Sequence, residues 1–147
     1  MVKSKVFKIM LADDDPDDRD LLAEAIIAGN SAHVESAHNG AHLMLALTAM
    51  EELPDMIFLD LNMPEKNGKE CLSEIRQHDR LKGVPVIIYS TSSSKKDIDD
   101  AFDLGATLYV TKPNSFSELK KIMSGILSLD WKTLLPQAKE NFVFKPF

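Results

Sequence analysis

Two groups of carboxylates stand directly after short apolar segments of the chain. Asp60 follows the uninterrupted apolar run 56–59, and Pro64 stops this strand from continuing because proline cannot donate to a β-ladder. Asp13 and Asp14 follow a second apolar run, at 6–12. Ligands bind at the carboxyl ends of strands in open parallel α/β sheets. Asp60 alone would be an ordinary strand-ending residue, but the second group predicts a shared acidic site.

Closely spaced carboxylates raise one another's pKa, and a divalent cation relieves this repulsion. Mg²⁺ prefers hard oxygen ligands and commonly retains water beside one or two carboxylates, which leaves room for phosphoryl oxygens. A carboxylate can also act as the nucleophile and form an aspartyl-phosphate. Ser90 and Lys112 end two further apolar runs, where a hydroxyl and an ammonium could bind phosphoryl oxygens. These residues predict a Mg²⁺-dependent phosphoryl-transfer site.

The elements that must position these side chains alternate regularly along the chain. Strand-like segments are at 6–12, 33–37, 56–60, 85–90 and 107–111, and each is followed by a segment with helical spacing. Five such alternations predict an α/β domain with a parallel sheet, right-handed crossovers and helices on both faces.

Helix-start signals support this arrangement. Asp15 precedes Pro16 and is expected to cap the first helix rather than bind metal. Asn39 is expected to open the second helix, Ser94 or Ser93 the fourth and Ser115 the fifth.

Composition excludes several other classes of function. The chain has 147 residues, 44% of them hydrophobic and 27% charged, and a formal net charge of −6, which suits one globular domain. A negative balance without a basic stripe argues against nucleic acid and anionic membranes as partners. The single cysteine, Cys71, rules out an internal disulfide. With no signal-peptide pattern and no apolar run of membrane-spanning length, we expect a cytoplasmic protein.

The last 18 residues, 130–147, do not fit the alternation of strands and helices. They contain seven large apolar side chains, Trp131, Leu134, Leu135, Phe142, Val143, Phe144 and Phe147. Such a segment is expected either to pack back on the domain, which we favour, or to cover a partner, with a homodimer left open. We therefore predict a domain at 1–129 and an apolar C-terminal extension at 130–147.

Taken in order, the motifs resemble the receiver domains of two-component response regulators, in particular the single-domain chemotaxis-regulator type. The resemblance covers about residues 5–129, and its motifs are Asp13-Asp14, Asp60 with Asn62-Met63-Pro64 and Gly68, Ser90-Thr91, Gly105-Ala106, Tyr109 and Lys112-Pro113. It implies a doubly wound, flavodoxin-like α/β fold with five helices and five parallel strands in the order 2-1-3-4-5.

The resemblance also implies roles for the acidic residues. Asp60 would accept a phosphoryl group from a histidine kinase or a phosphotransfer protein, which would be the upstream partner in a phosphorelay. Mg²⁺ would be bound by Asp14, Asp60 and the backbone carbonyl of Asn62, with Asp13 holding a coordinated water or assisting.

Three further residues would respond to the phosphoryl group. Lys112 would pair with it, Ser90 would be the switch hydroxyl, and Tyr109 would turn inward. Serine stands at position 90 where threonine is more frequent in the family, and the adjacent Thr91 is the alternative switch residue.

The sequence therefore predicts a signalling domain rather than a classical enzyme, although such a phosphoacceptor catalyses its own phosphorylation and dephosphorylation. The downstream protein target is not specified. One alternative is a phosphatase that works through an aspartyl-phosphate. Asn62 argues against it, because such enzymes carry a second acid at that position and an amide cannot act as a general acid. The other is a receiver-like adaptor that is not phosphorylated.

Overall fold

A computed structural model describes residues 6–129 and 141–144 of the chain. Strands and helices alternate throughout the first of these ranges. The strands are β1 (Phe7–Ala12), β2 (Ala32–Ala37), β3 (Met56–Leu59), β4 (Val86–Ser90) and β5 (Leu108–Thr111). The helices are α1 (Pro16–Ile27), α2 (Gly40–Ala49), α3 (Gly68–Gln77), α4 (Lys95–Asp103) and α5 (Phe116–Leu127).

The five strands form one parallel sheet in the order β2-β1-β3-β4-β5. The register pairs Ala12, the last residue of β1, with Ala37 of β2 and with Leu59 of β3. The first three strands, β1, β2 and β3, therefore end at the same level. The predicted doubly wound, flavodoxin-like fold is confirmed, and each predicted strand boundary lies within one residue of the observed one.

The sheet separates two apolar cores. One lies between the sheet and α2, α3 and α4, and includes Leu43, Leu72 and Tyr109. The other lies between the sheet and α1 and α5, and includes Ile26 and Met123. Because β3 and β4 are covered on both faces, every one of their side chains is buried, which explains why they read as uninterrupted apolar runs.

Side-chain caps fix where the helices begin. Asp15 accepts hydrogen bonds from the amides of the first turn of α1, as its place before Pro16 predicts. Asn39, Ser94 and Ser115 cap α2, α4 and α5 in the same way. A reciprocal capping box forms at the start of α3, where Asn67 Oδ1 accepts from the Glu70 amide and Glu70 Oε1 accepts from the Asn67 amide.

Four residues of the C-terminal extension are described, at 141–144. Val143 forms a parallel bridge with Tyr109 of β5, and Phe142 is buried beside α4. Four other apolar residues of this extension lie outside the described residues, namely Trp131, Leu134, Leu135 and Phe147, so the domain boundary near residue 129 stays a prediction. Within the described ranges, no helix combines the length and apolarity needed to cross a membrane.

Candidate functional site

The carboxyl ends of the central strands carry the buried polar side chains of the protein. Among the described residues these are Asp13, Asp60 and Ser90, which follow or end β1, β3 and β4. The sheet ladder continues past the strands and holds their backbones, since the Asp60 amide donates to the Ala12 carbonyl (3.0 Å) and the Lys112 amide to the Ser90 carbonyl (2.8 Å). Burial of polar groups at one edge of an otherwise apolar sheet marks this edge as the site.

Three carboxylates could hold a metal ion there. One oxygen from each of Asp13, Asp14 and Asp60 lies within 4.8 Å of the others, and Asp14 is exposed to solvent. Hard oxygen donors at this separation, open to water on one side, fit Mg²⁺ or Mn²⁺. The Asn62 amide donates to Asp60 Oδ1 (3.3 Å), and this bond orients the carboxylate; the part predicted for the Asn62 carbonyl stays a prediction.

Lys112 provides the positive charge at this site. Its Nζ donates to Asp13 Oδ2 (2.7 Å), Asp18 Oδ2 (2.9 Å) and Asp60 Oδ2 (3.3 Å), which matches the three donors of an ammonium. Burial lowers the pKa of Lys112, but the hydrogen bonds to Asp13 and Asp18 and the charge of Asp60 outweigh it, so the pKa lies above its usual value. One cation thus faces three carboxylates, and the pocket keeps an excess of negative charge.

Asp18 was not predicted as a site residue. The sequence places it in the first turn of α1, where an acid is favoured by the helix dipole, and that explanation is sufficient without a partner. The structure shows that this turn also faces Lys112. One sequence feature could have identified Asp18. The first turn of α1 begins at the same sheet edge as Asp13, so its acidic residues lie near the residues that follow the other strands.

The pocket changes the protonation of Asp60. Burial raises the pKa of Asp60 to about 6, against the lowering effect of Lys112, and the nearby charge of Asp13 adds to the increase. Without a metal ion, part of the Asp60 population is therefore protonated near neutral pH. A second cation would favour the ionised carboxylate.

This shift predicts a pH-dependent stability of the metal-free protein. Because the folded pKa of Asp60 exceeds the unfolded value, the folded state binds more protons, and stability is lost as pH rises from about 4 to above 6. The loss is up to about 3 kcal/mol. Urea unfolding in a chelator should show Asp60→Asn gaining stability over wild type as pH rises through this window. A difference in the free energy of unfolding between Asp60→Asn and wild type that stays constant between about pH 4 and 7 would contradict the raised pKa of Asp60.

The predicted switch residues occupy different environments. Ser90 is buried, and its Oγ accepts a hydrogen bond from the Ser92 amide (3.2 Å), whereas Thr91 is exposed. This difference favours Ser90 over Thr91 as the switch hydroxyl. Tyr109 is fully buried, and its hydroxyl donates to the Ser92 carbonyl (2.8 Å). The aromatic ring is thus already directed inward.

Gly68 brings the start of α3 against the backbone that carries Asp60. A Cβ at Gly68 would lie 2.2 Å from the Asp60 carbonyl oxygen and 2.7 Å from the Leu61 Cα. We expect Gly68→Ala to displace this backbone and to lower the free energy of unfolding by about 1–3 kcal/mol. Gly83→Ala is the matched control, since a Cβ there meets nothing within 4 Å and should change stability by less than about 0.5 kcal/mol. Equal urea midpoints for the two variants would refute the close-packing argument.

The fold and the acidic edge define a receiver-type α/β domain, and comparison with known proteins agrees. The family model for the response regulator receiver domain matches residues 9–124. The response regulator Rcp1 of Synechocystis is 40% identical over 86 residues, which are 58% of this chain and 58% of Rcp1. The transcriptional regulatory protein KdpE of Staphylococcus aureus is 36% identical over 115 residues, 77% of this chain and 46% of KdpE.

Solved structures give the same result. The phosphorylated cyanobacterial phytochrome response regulator RcpA superposes with a TM-score of 0.79 at 35% identity, covering 88% of this chain and 96% of RcpA. The Mn²⁺-bound form of Rcp1 gives 0.76 at 29% identity, covering 90% and 99%. The chain belongs to the response regulator receiver domain family. It is thus a signalling domain of the two-component type, and it spans about half the length of the curated relatives it matches.

Proposed function

We propose that the chain accepts a phosphoryl group on Asp60 from the phosphohistidine of a histidine kinase or phosphotransfer protein. The observation that carries the proposal is the buried Asp60 carboxylate, which shares one pocket with Asp13, Asp14 and the ammonium of Lys112. Phosphoryl transfer depends mainly on positioning and on neutralising charge, and this pocket supplies both. RcpA, a relative with 35% identity, has been solved in phosphorylated form.

In the proposed step, an oxygen of the Asp60 carboxylate forms a bond to phosphorus while the P–N bond of the phosphohistidine breaks. The electron pair of that bond remains on the imidazole nitrogen. Burial of Asp60 and its hydrogen bond from the Asn62 amide hold the attacking carboxylate in one orientation. Asp60 must be ionised to react, so its raised pKa is a cost in the metal-free protein.

The three carboxylates Asp13, Asp14 and Asp60, together with the Asn62 carbonyl, would hold Mg²⁺. When bound, the ion neutralises the charge on the phosphoryl oxygens and favours ionised Asp60. Lys112 already lies at 3.3 Å from Asp60 Oδ2, so a phosphoryl group on Asp60 would compete with Asp13 and Asp18 for its three donors. Ser90 would donate its hydroxyl proton to another phosphoryl oxygen.

Movement of Lys112 and Ser90 toward the phosphoryl group would change the surface formed by α4, β5 and α5, which a downstream protein would read. Phosphorylation would change the charge of the pocket, and this change would shift the equilibrium between two conformations of that surface. Autocatalytic phosphorylation and dephosphorylation and a cytoplasmic location are part of the same proposal and stay predictions.

The proposal is tested by incubating the full chain with acetyl phosphate in Mg²⁺ and following the intact mass. We expect one phosphoryl group per chain, labile to hydroxylamine as acyl phosphates are, and none when a chelator replaces Mg²⁺. No incorporation from acetyl phosphate or from a phosphorylated histidine kinase would refute the proposal and favour the adaptor. Many turnovers of a chromogenic phosphate ester per chain would instead favour the phosphatase.

A further inference from the structure

The segment 141–144 extends the sheet beside β5. The Tyr109 amide donates to the Phe142 carbonyl (3.0 Å), and the Phe144 amide donates to the Tyr109 carbonyl (2.9 Å). Both backbone polar groups of Tyr109 are therefore bonded to this segment, in a parallel bridge centred on Val143. The C-terminal segment and the aromatic switch residue are held as one unit.

The side chains of the segment strengthen this contact. Phe142 is fully buried, with its ring centroid 5.2 Å from that of Phe102 on α4 in an edge-to-face arrangement and 6.1 Å from that of Tyr109. Phe144 reaches α5, where a Cβ on Gly125 would lie 3.0 Å from its ring. The segment therefore bridges α4, β5 and α5, and an outward position of Tyr109 would leave a cavity beside Phe142.

A short series of hydrogen bonds connects Tyr109 to the phosphorylation site. The Tyr109 hydroxyl donates to the Ser92 carbonyl (2.8 Å), and the Ser92 amide donates to Ser90 Oγ (3.2 Å). A hydroxyl that accepts one hydrogen bond can still donate its own proton. Holding Tyr109 inward thus fixes Ser92, and the Ser92 amide in turn orients the Ser90 hydroxyl, which also lies within hydrogen-bond reach of Tyr109.

We propose that the segment 141–144 is a clamp that holds Tyr109 inward and so raises the affinity of the Asp60 pocket for a phosphoryl group. This inference rests on the proposed function, because it concerns the same pocket. Coupling between two sites is reciprocal, so phosphorylation must stabilise docking of the segment by the same factor. The extension would therefore act as a positive regulator of the switch rather than as a cover that phosphorylation removes.

The affinity of the full chain for beryllium fluoride in Mg²⁺, measured by calorimetry, tests the clamp, since this reagent forms a stable mimic of an aspartyl-phosphate. We expect Phe142→Ala to weaken binding by about 5-fold or more, the lower end of typical allosteric coupling. Ile26→Ala is the matched control, because it truncates a fully buried side chain in the core on the other face of the sheet. It should change the affinity by less than about 2-fold.

Tyr109→Phe tests whether Phe142 acts through the Tyr109 hydroxyl. This substitution keeps the ring but removes the hydrogen bond to Ser92. Adding Phe142→Ala to Tyr109→Phe should then cost much less affinity than it does in wild type, because the route through Ser92 is already lost. Additive losses would overturn the proposed route.

A reciprocal measurement needs no variant and stays informative if Phe142→Ala fails to fold. Hydrogen exchange of the Phe144 amide in wild type should slow when beryllium fluoride is added, and faster exchange would overturn the clamp. If Phe142→Ala folds and binds beryllium fluoride with wild-type affinity, the clamp is overturned, whereas the proposed function is not. Failure of wild type to bind beryllium fluoride would contradict the proposed function, and the clamp with it.

Discussion

Asp60→Asn is expected to abolish phosphoryl incorporation from acetyl phosphate. Asparagine keeps the shape of the side chain but offers a neutral amide, which is a poor nucleophile and a weaker metal ligand than a carboxylate. Loss of a covalent nucleophile lowers rates on the order of 10⁴-fold or more. Intact-mass measurement over time, with Mg²⁺ and acetyl phosphate in excess, gives the rate directly.

Asp55→Asn is the matched control for this experiment. Asp55 directly precedes β3, whereas Asp60 follows it, so the two carboxylates lie at opposite ends of the same strand. Asp55 accepts a hydrogen bond from the Lys8 amide (2.8 Å), far from the acidic pocket. We expect Asp55→Asn to be phosphorylated at the wild-type rate. Incorporation at that rate in Asp60→Asn would assign the phosphoryl group to another residue.

Lys112→Ala is expected to lower the free energy of unfolding by about 3 kcal/mol in the absence of metal. The Lys112 side chain is one-tenth exposed, and its ammonium contacts three carboxylates, two of which, Asp13 and Asp60, are buried. Removing it leaves these charges without a partner at low dielectric. Because a divalent cation that binds only the folded state adds stability, Mg²⁺ should recover more stability in Lys112→Ala than in wild type. Urea denaturation with Mg²⁺ and with a chelator measures both effects.

Lys96→Ala provides the comparison for Lys112. Lys96 also donates to a carboxylate, Asp100 (2.7 Å), but its side chain is 80% exposed. Exposed pairs of this type contribute about 0.5 kcal/mol or less, and Mg²⁺ should not affect the variant. Similar losses for Lys96→Ala and Lys112→Ala would show that burial of the Lys112 cluster contributes little to stability.

The sequence was sufficient for the fold because its local and long-range signals agree. The apolar run before Asp60, ended by Pro64, identifies β3 as a strand covered on both faces, and the register of the sheet then brings Asp13 and Asp60 to one level. Asp15 before Pro16 identifies a helix start without any tertiary information. The assignment of each element depends only on near neighbours in the chain, whereas the strand order follows from the resemblance to receiver domains.

Other features depend on contacts that neighbouring residues do not encode. Asp18 and Lys112 are 94 residues apart, and their pairing follows from how the first turn of α1 is oriented over the sheet. The choice between Ser90 and Thr91 depends on the face to which each side chain points. Because successive residues of a strand point to opposite faces, an error of one residue in the position of β4 reverses the choice. The apolar content of the extension predicts burial of Phe142, but not its place beside Tyr109.

Strand addition between molecules is the main hazard of an open sheet, because an edge strand offers unpaired amides and carbonyls to other chains. At the β5 edge, the segment 141–144 occupies the backbone groups of Tyr109, so a foreign strand would have to displace it. The β2 edge instead carries two exposed polar side chains, His33 and Glu35, which disfavour edge-to-edge pairing with the same strand of another molecule. The two edges of this domain are thus protected against aggregation by different means, one by the chain itself and one by its polar side chains.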